Sequence, residues 1–157
     1  MKELNPTISF VSPVYRADKI LAKLVVEIQK VMLEINQPYE IILVDDRSPD
    51  NSWEVMKMIS SQFSEVRSVR LSRNFGQHPA IIAGLTYAKG DWIVVLDCDL
   101  QDQPKEVLKL YNKAKEGFDI VFASRNNRKD TFWTKNLSRL FYKMYSYLTG
   151  IKQDATI

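Results

Sequence analysis

Two aspartates, one residue apart, close an apolar run in "VVLDCDLQDQP", residues 94–104. Carboxylates that converge at a strand end repel each other unless a positive charge lies between them. A second pair, Asp45-Asp46, ends the run "YEIILVDD". Four carboxylates finishing two different strands call for a hard divalent cation with oxygen ligands, Mg²⁺ or Mn²⁺. The period-2 pleat of a strand sends Asp97 and Asp99 to one side and turns Cys98 away as a packing residue. One carboxylate can then hold the metal and the other a sugar hydroxyl or a metal-bound water, with Gln101 supplying a further oxygen. Taken alone, Asp-x-Asp fits a cap on the following loop equally well. The pair at Asp45-Asp46 favours the ligand-binding reading.

Other groups fall at the ends of apolar runs: Pro13-Val14-Tyr15, Arg73 to His78, and Ser124-Arg125. In open parallel sheets, ligands bind beyond the carboxyl ends of the strands. No Gly-x-Gly-x-x-Gly follows the first strand, and no Gly-Lys-Ser/Thr phosphate loop is present. A nucleotide would therefore be held through metal, base stacking and side chains rather than by a glycine-rich loop. His78, the one histidine, sits where a helix should begin and reads either as a surface or capping residue or as a general base.

The elements that must position these groups alternate along the chain. Strands are expected at "TISFVSP", "YEIILVDD", "VRSVRLS", "DWIVVLDCD" and "FDIVFASR", the third on a less buried site because its polarity alternates. Helices are expected at 18–35, with Asp18 as N-cap, at 49–63, at 78–90 closed by Gly90, at 103–117 closed by Gly117, and at 130–150. This is the pattern of βαβ units: an α/β three-layer sandwich with a mostly parallel sheet, read as one domain over 1–157.

Bulk properties set the remaining bounds. A net charge of +3 is too mild to imply nucleic acid. One cysteine excludes a disulfide framework or cysteine zinc site and suits a reducing compartment. No apolar h-region marks a signal peptide, and no run approaches the roughly 20 apolar residues of a membrane span. A cytoplasmic protein is expected. The abrupt ending "LTGIKQDATI" suggests a chain cut short of a longer protein.

From Arg125 onward the charge changes character. Arg125, Arg128, Lys129, Lys135, Arg139 and Lys143 are opposed over that stretch by Asp130 alone. Lys135, Arg139 and Lys143, spaced by four, align on one helical face, opposite an apolar side that includes Trp133, Phe141 and Tyr145. Such a helix can lie on an anionic membrane, pack on a core with a solvated basic back, or receive an anionic acceptor.

The motifs "PVY", "VDDRSPDNS", "SRNFGQHPAIIAGL", "GDWIVVLDCDLQDQP", "EGFDIVFASR" and "NRKDTFWTKNLSRLFYKMYSYLTG" resemble a family 2 glycosyltransferase of GT-A fold. More narrowly they resemble the polyprenyl-phosphate glycosyltransferases, over essentially the whole chain. The resemblance implies a nucleotide-sugar donor, UDP-linked by preference, a polyprenyl phosphate acceptor, and a place at the inner face of the membrane. It implies that Pro13, Val14, Tyr15 and Asp45 surround base and ribose, that Asp46 orients the loop, and that Asn74, Gly76 and Gln77 border the nucleotide. Asp97 and Asp99 match the family's Asp-x-Asp, with Asp99 and Gln101 as the best metal ligands. Arg125, Arg128, Lys135 and Arg139 match basic positions around the diphosphate and lipid phosphate, and Asp154 an acid near the acceptor. The chain departs from the family at Cys98, where a small residue is usual, and at Arg47, where glycine is commoner.

This chemistry suits direct displacement with inversion, because an acceptor phosphate with a second pKa near ~6 is already ionised and needs little help from a base. Three rivals stand beside it: transfer to a sugar hydroxyl, with Asp154 as base; a non-catalytic nucleotide-sugar binder; and a Mg²⁺-dependent receiver domain. The last wants a lysine after the fifth strand, where this chain has Ala-Ser-Arg. Association into a homo-oligomer is left open.

Overall fold

The computed structural model describes residues 7–123. The chain divides into two units, Met1–Gly117 and Phe118–Ile157. The first is a parallel sheet between helices. Its strands are β1 (Ile8–Val14), β2 (Tyr39–Asp45), β3 (Val66–Arg70) and β4 (Trp92–Val95); its helices are α1 (Leu21–Ile35), α2 (Ser52–Gln62), α3 (Gln77–Leu85) and α4 (Val107–Ala114), the last preceded by a 3₁₀ turn at Pro104–Glu106. The order is β3-β2-β1-β4, and every pairing is parallel. The expected α/β architecture is present, with a sheet wholly parallel among the described residues.

Position in the sheet explains each strand's composition. β1 is buried at all seven positions because it has strand neighbours on both sides and helices on both faces. Ile8, Phe10 and Val14 face the larger core with Leu21, Leu24 and Ile28 of α1, Met56 of α2 and Val107 of α4. Val11 faces the other way, with Ile42, Val44 and Ala80 of α3. Among the described residues β3 is an edge strand, which suits its alternating polarity. α3 lies close on the sheet because residue 84 is glycine: a Cβ there would overlap the Val11 side chain. The connection that leads from the end of β3 leaves the amino end of α3 at the carboxyl ends of the strands.

Several boundaries differ from the sequence reading. α1 begins at Leu21, and Asp18 does not cap it; the Ala17 carbonyl accepts the Ile20 and Leu21 amides instead. At its far end Asn36 takes a left-handed φ of 52° and returns its N–H to Met32. α3 stops at Leu85, where the Tyr87 amide closes a tighter turn onto Gly84. Gly90 lies beyond that end and is a close-packing point, its N–H donating to Ser9 Oγ at 2.8 Å. β4 ends at Val95, so Asp97 to Asp99 stand past the ladder and the pleat does not order them. Of the fifth strand expected over "FDIVFASR", residues 118–123 form no strand among the described residues, and Ser124 and Arg125 lie outside them.

Candidate active site

The register puts Val14 beside Asp45 and Asp45 beside Arg70, so these strands finish level. β4 joins them through the Leu96 amide, which donates to the Val11 carbonyl. Beyond that edge lies a cavity of about 390 Å³. Four segments line it: Pro13, Val14 and Tyr15 after β1; Asp46 after β2; Asn74, Gly76 and Gln77 before and at the start of α3; and Asp97, Cys98 and Asp99 after β4.

The end of β2 and the segment after it organise their neighbours. Asp45 is wholly buried and accepts the Ser48 amide at 2.8 Å. Its Oδ2 stands 3.0 Å from Arg70 Nε, an ion pair without hydrogen-bond alignment. Asp46, also buried, accepts the Phe75 and Gly76 amides at 2.7 and 2.8 Å. It thereby fixes the Asn74–Gln77 wall, whose turn depends on Gly76 at φ 98°. On the other side the Ser48 and Ser52 hydroxyls accept the amides of Arg16 and Ala17 at 3.1 and 2.9 Å. The Tyr15 ring is left 45% exposed beside the cavity, with the Arg16 guanidinium 5.4 Å from its centre.

The walls meet where Gln77 Nε2 donates to Asp97 Oδ1 at 2.7 Å. Asp99, exposed, accepts the Gln101 amide at 2.9 Å, across a turn that holds Leu100 at φ 59°. Cys98 lines the cavity and also packs on the main core. Burial pushes its thiol above the ordinary range, and the Asp99 and Asp97 carboxylates add to this, so it remains a protonated packing residue.

Of the residues singled out in the sequence, Pro13, Val14, Tyr15, Asn74, Gly76, Gln77, Asp97 and Asp99 come together on the cavity. Asp45 lies beneath it and Asp46 on it. Gln101 is absent from the lining, and its amide supports Asp99. His78 is exposed in the first turn of α3. Arg125, Arg128, Lys135, Arg139, Asp154 and the basic segment lie outside the described residues. Ser48, Arg16 and Arg70 passed unnoticed, because only the register shows that they touch the site's supports.

Among the described residues, no three His, Cys, Asp or Glu side chains converge as a closed metal cage. Two carboxylates on an open cavity still fit Mg²⁺ or Mn²⁺, since such ions in phosphate sites take one or two protein carboxylates and complete their shell with substrate oxygens and water. Among the same residues, no helix is long and apolar enough to cross a membrane.

A parallel sheet with an acidic cavity at its carboxyl ends is shared with solved glycosyltransferases of GT-A fold. S. aureus TarS 1-349 in complex with UDP-GlcNAc has this fold (TM-score 0.57, 21% identity, 80% of this chain and 37% of that one). So does the Pyrobaculum calidifontis mannosyltransferase PcManGT in complex with GDP-Man and Mn²⁺ (TM-score 0.53, 19% identity, 62% and 28%). At these identities the likeness is one of fold. The sequence goes further: the pattern of Glycosyl transferase family 2 matches residues 9–156, and the chain belongs to that family. It is 42% identical over 144 residues to the undecaprenyl-phosphate 4-deoxy-4-formamido-L-arabinose transferase of Serratia proteamaculans, spanning 91% of this chain and 44% of that protein.

Proposed function

We propose that this protein transfers a sugar from a nucleotide diphosphate sugar, UDP-linked by preference, to a polyprenyl phosphate in cell-envelope glycan or lipopolysaccharide synthesis. One observation carries the reading: a cavity at the strand ends sets the Tyr15 ring and an amide-rich loop against Asp97 and Asp99. The identity to a transferase that acts on undecaprenyl phosphate supports the acceptor class.

Tyr15 stacks on the base, and Pro13 and Val14 bound it. Asn74, Gly76 and Gln77 border the nucleotide on the opposite side. Asp97 and Asp99 would hold Mg²⁺ or Mn²⁺, with Gln101 beside them, and the bound ion supplies neutralisation of charge on the departing diphosphate. Arg125 serves that same charge. Arg128, Lys135 and Arg139 receive the lipid phosphate, Asp154 stands near the acceptor, and the basic segment rests on the inner face of the membrane. An oxygen of the acceptor phosphate forms a bond to the anomeric carbon as the bond from that carbon to the nucleotide diphosphate breaks. The configuration inverts.

The test is calorimetric titration with UDP, GDP and CDP, each with and without Mn²⁺. Metal-dependent binding of UDP is the expected result. Failure of all three nucleotides to bind would count against the reading, and a product of retained configuration would count against the displacement.

A further inference from the structure

Arg70 ends β3 in register with Asp45. Its guanidinium lies between two groups: Nε is 3.0 Å from Asp45 Oδ2, and Cζ is 5.3 Å from the centre of the Trp53 ring in the first turn of α2. Asp45 is sealed from water, and a carboxylate so placed must be met by donors. Asp45 Oδ1 has the Ser48 amide as donor, and Oδ2 has the charge of this guanidinium at 3.0 Å without hydrogen-bond alignment. From there the contacts run toward the cavity. The Ser48 hydroxyl accepts the Arg16 amide, and Arg16 directly follows Tyr15. Arg16 has φ 54°, a conformation that a non-glycine residue keeps only where its surroundings over-determine it.

We infer that Arg70, which is outside the cavity lining, is a positioning residue for the nucleotide: through Asp45 and Ser48 it fixes the Tyr15–Arg16 wall. This role rests on the nucleotide reading given above. It concerns one wall only, because the opposite wall has its own support in Asp46.

Arg70→Gln removes the charge and keeps a planar group near Trp53. Amide hydrogen exchange, followed residue by residue in the full chain, and titration of UDP with Mn²⁺ test the role together. Exchange at Ser48 and Arg16 should quicken about tenfold, and the UDP Kd should rise about tenfold, the loss of one charge-assisted contact. Phe75 and Gly76, held by Asp46, and Phe10 and Ile42 in the central strands should keep their rates. Ser48→Ala, which leaves the ion pair intact, should reproduce the effect at Arg16 and on the Kd, and Arg70→Gln should add nothing on that background. An Arg16 amide unmoved by Arg70→Gln would overturn the role, as would additive losses in the double variant. Equal quickening at Phe10 and Ile42 would overturn it too, since the change would then be global destabilisation. A wild-type chain that binds no nucleotide defeats the nucleotide reading and this role with it, an outcome kept separate because exchange is measured without ligand.

Discussion

Two pairs of aspartates stand at the carboxyl edge of the sheet, Asp45 and Asp46 at the end of β2 and Asp97 and Asp99 in the loop after β4, and they are used in opposite ways. At the end of β2, Asp45 and Asp46 are 0% and 3% exposed, and their oxygens meet the Ser48, Phe75 and Gly76 amides and the Arg70 guanidinium. After β4, Asp97 is half-buried and Asp99 exposed, and each has one described bond, to the Gln77 side chain and the Gln101 amide. A carboxylate removed from water must be surrounded by donors, so the first pair builds the walls of the cavity. The second pair stays open to the cavity, where the proposed cation would be held. Residue type and position at a strand end are common to both. Burial separates them.

The largest expected effect tests the exposed pair. Asp99→Ala should weaken UDP binding in the presence of Mn²⁺ by at least about a hundredfold, more than losing a group that merely supports a metal ligand. Its cost in stability should be no more than about 1 kcal/mol, for one exposed turn bond. Calorimetry and urea denaturation read the two numbers, and a large loss of stability with binding retained would invert the assignment. Asp46→Ala should do the reverse. It deprives two amides of a charged acceptor, so unfolding in urea should become easier by about 2–4 kcal/mol. An Asp46→Ala chain as stable as wild type that had lost nucleotide binding would break the comparison, since Asp46 would then be a ligand group and not a clamp.

Much of this was legible in the residues. The mainly apolar runs of β1 and β2 announce strands, and the alternation in "VRSVR" announces a less buried one. The motif resemblance led to nearly every residue on the cavity, because those residues occur in short contiguous loops. What stayed hidden depends on partners distant in sequence. "DWIVVLDCD" reads as a nine-residue strand, yet pairing with β1 stops at Val95, and Asp97 to Asp99 leave the pleat. Gly90 looks like a helix stop, and its purpose lies in the close approach to Ser9, eighty-one positions away. Which of Asp45 and Asp46 faces the cavity is likewise set by register, one residue either way exchanging their roles. Arg70 is one more polar residue of an alternating strand until Asp45 is placed beside it.

A smaller effect sharpens the same contrast at the backbone. Each loop holds one left-handed residue that is not glycine: Arg47 at φ 57° after β2 and Leu100 at φ 59° after β4. That conformation costs an L-residue roughly 1–2 kcal/mol, and glycine returns part of the gain through its looser unfolded chain. Arg47 is exposed, with its side chain in no described ion pair, so Arg47→Gly should raise stability by about 0.5–1 kcal/mol. Leu100 packs against the main core, and Leu100→Gly gives up that burial, so relief of strain should be outweighed and stability should fall by about 1 kcal/mol. Urea midpoints of the two variants, measured at one pH and salt concentration, should therefore move in opposite directions. A gain at both positions would mean that the Leu100 side chain contributes less than its strained backbone costs, and that the turn presenting Asp99 is held by the Gln101 amide alone.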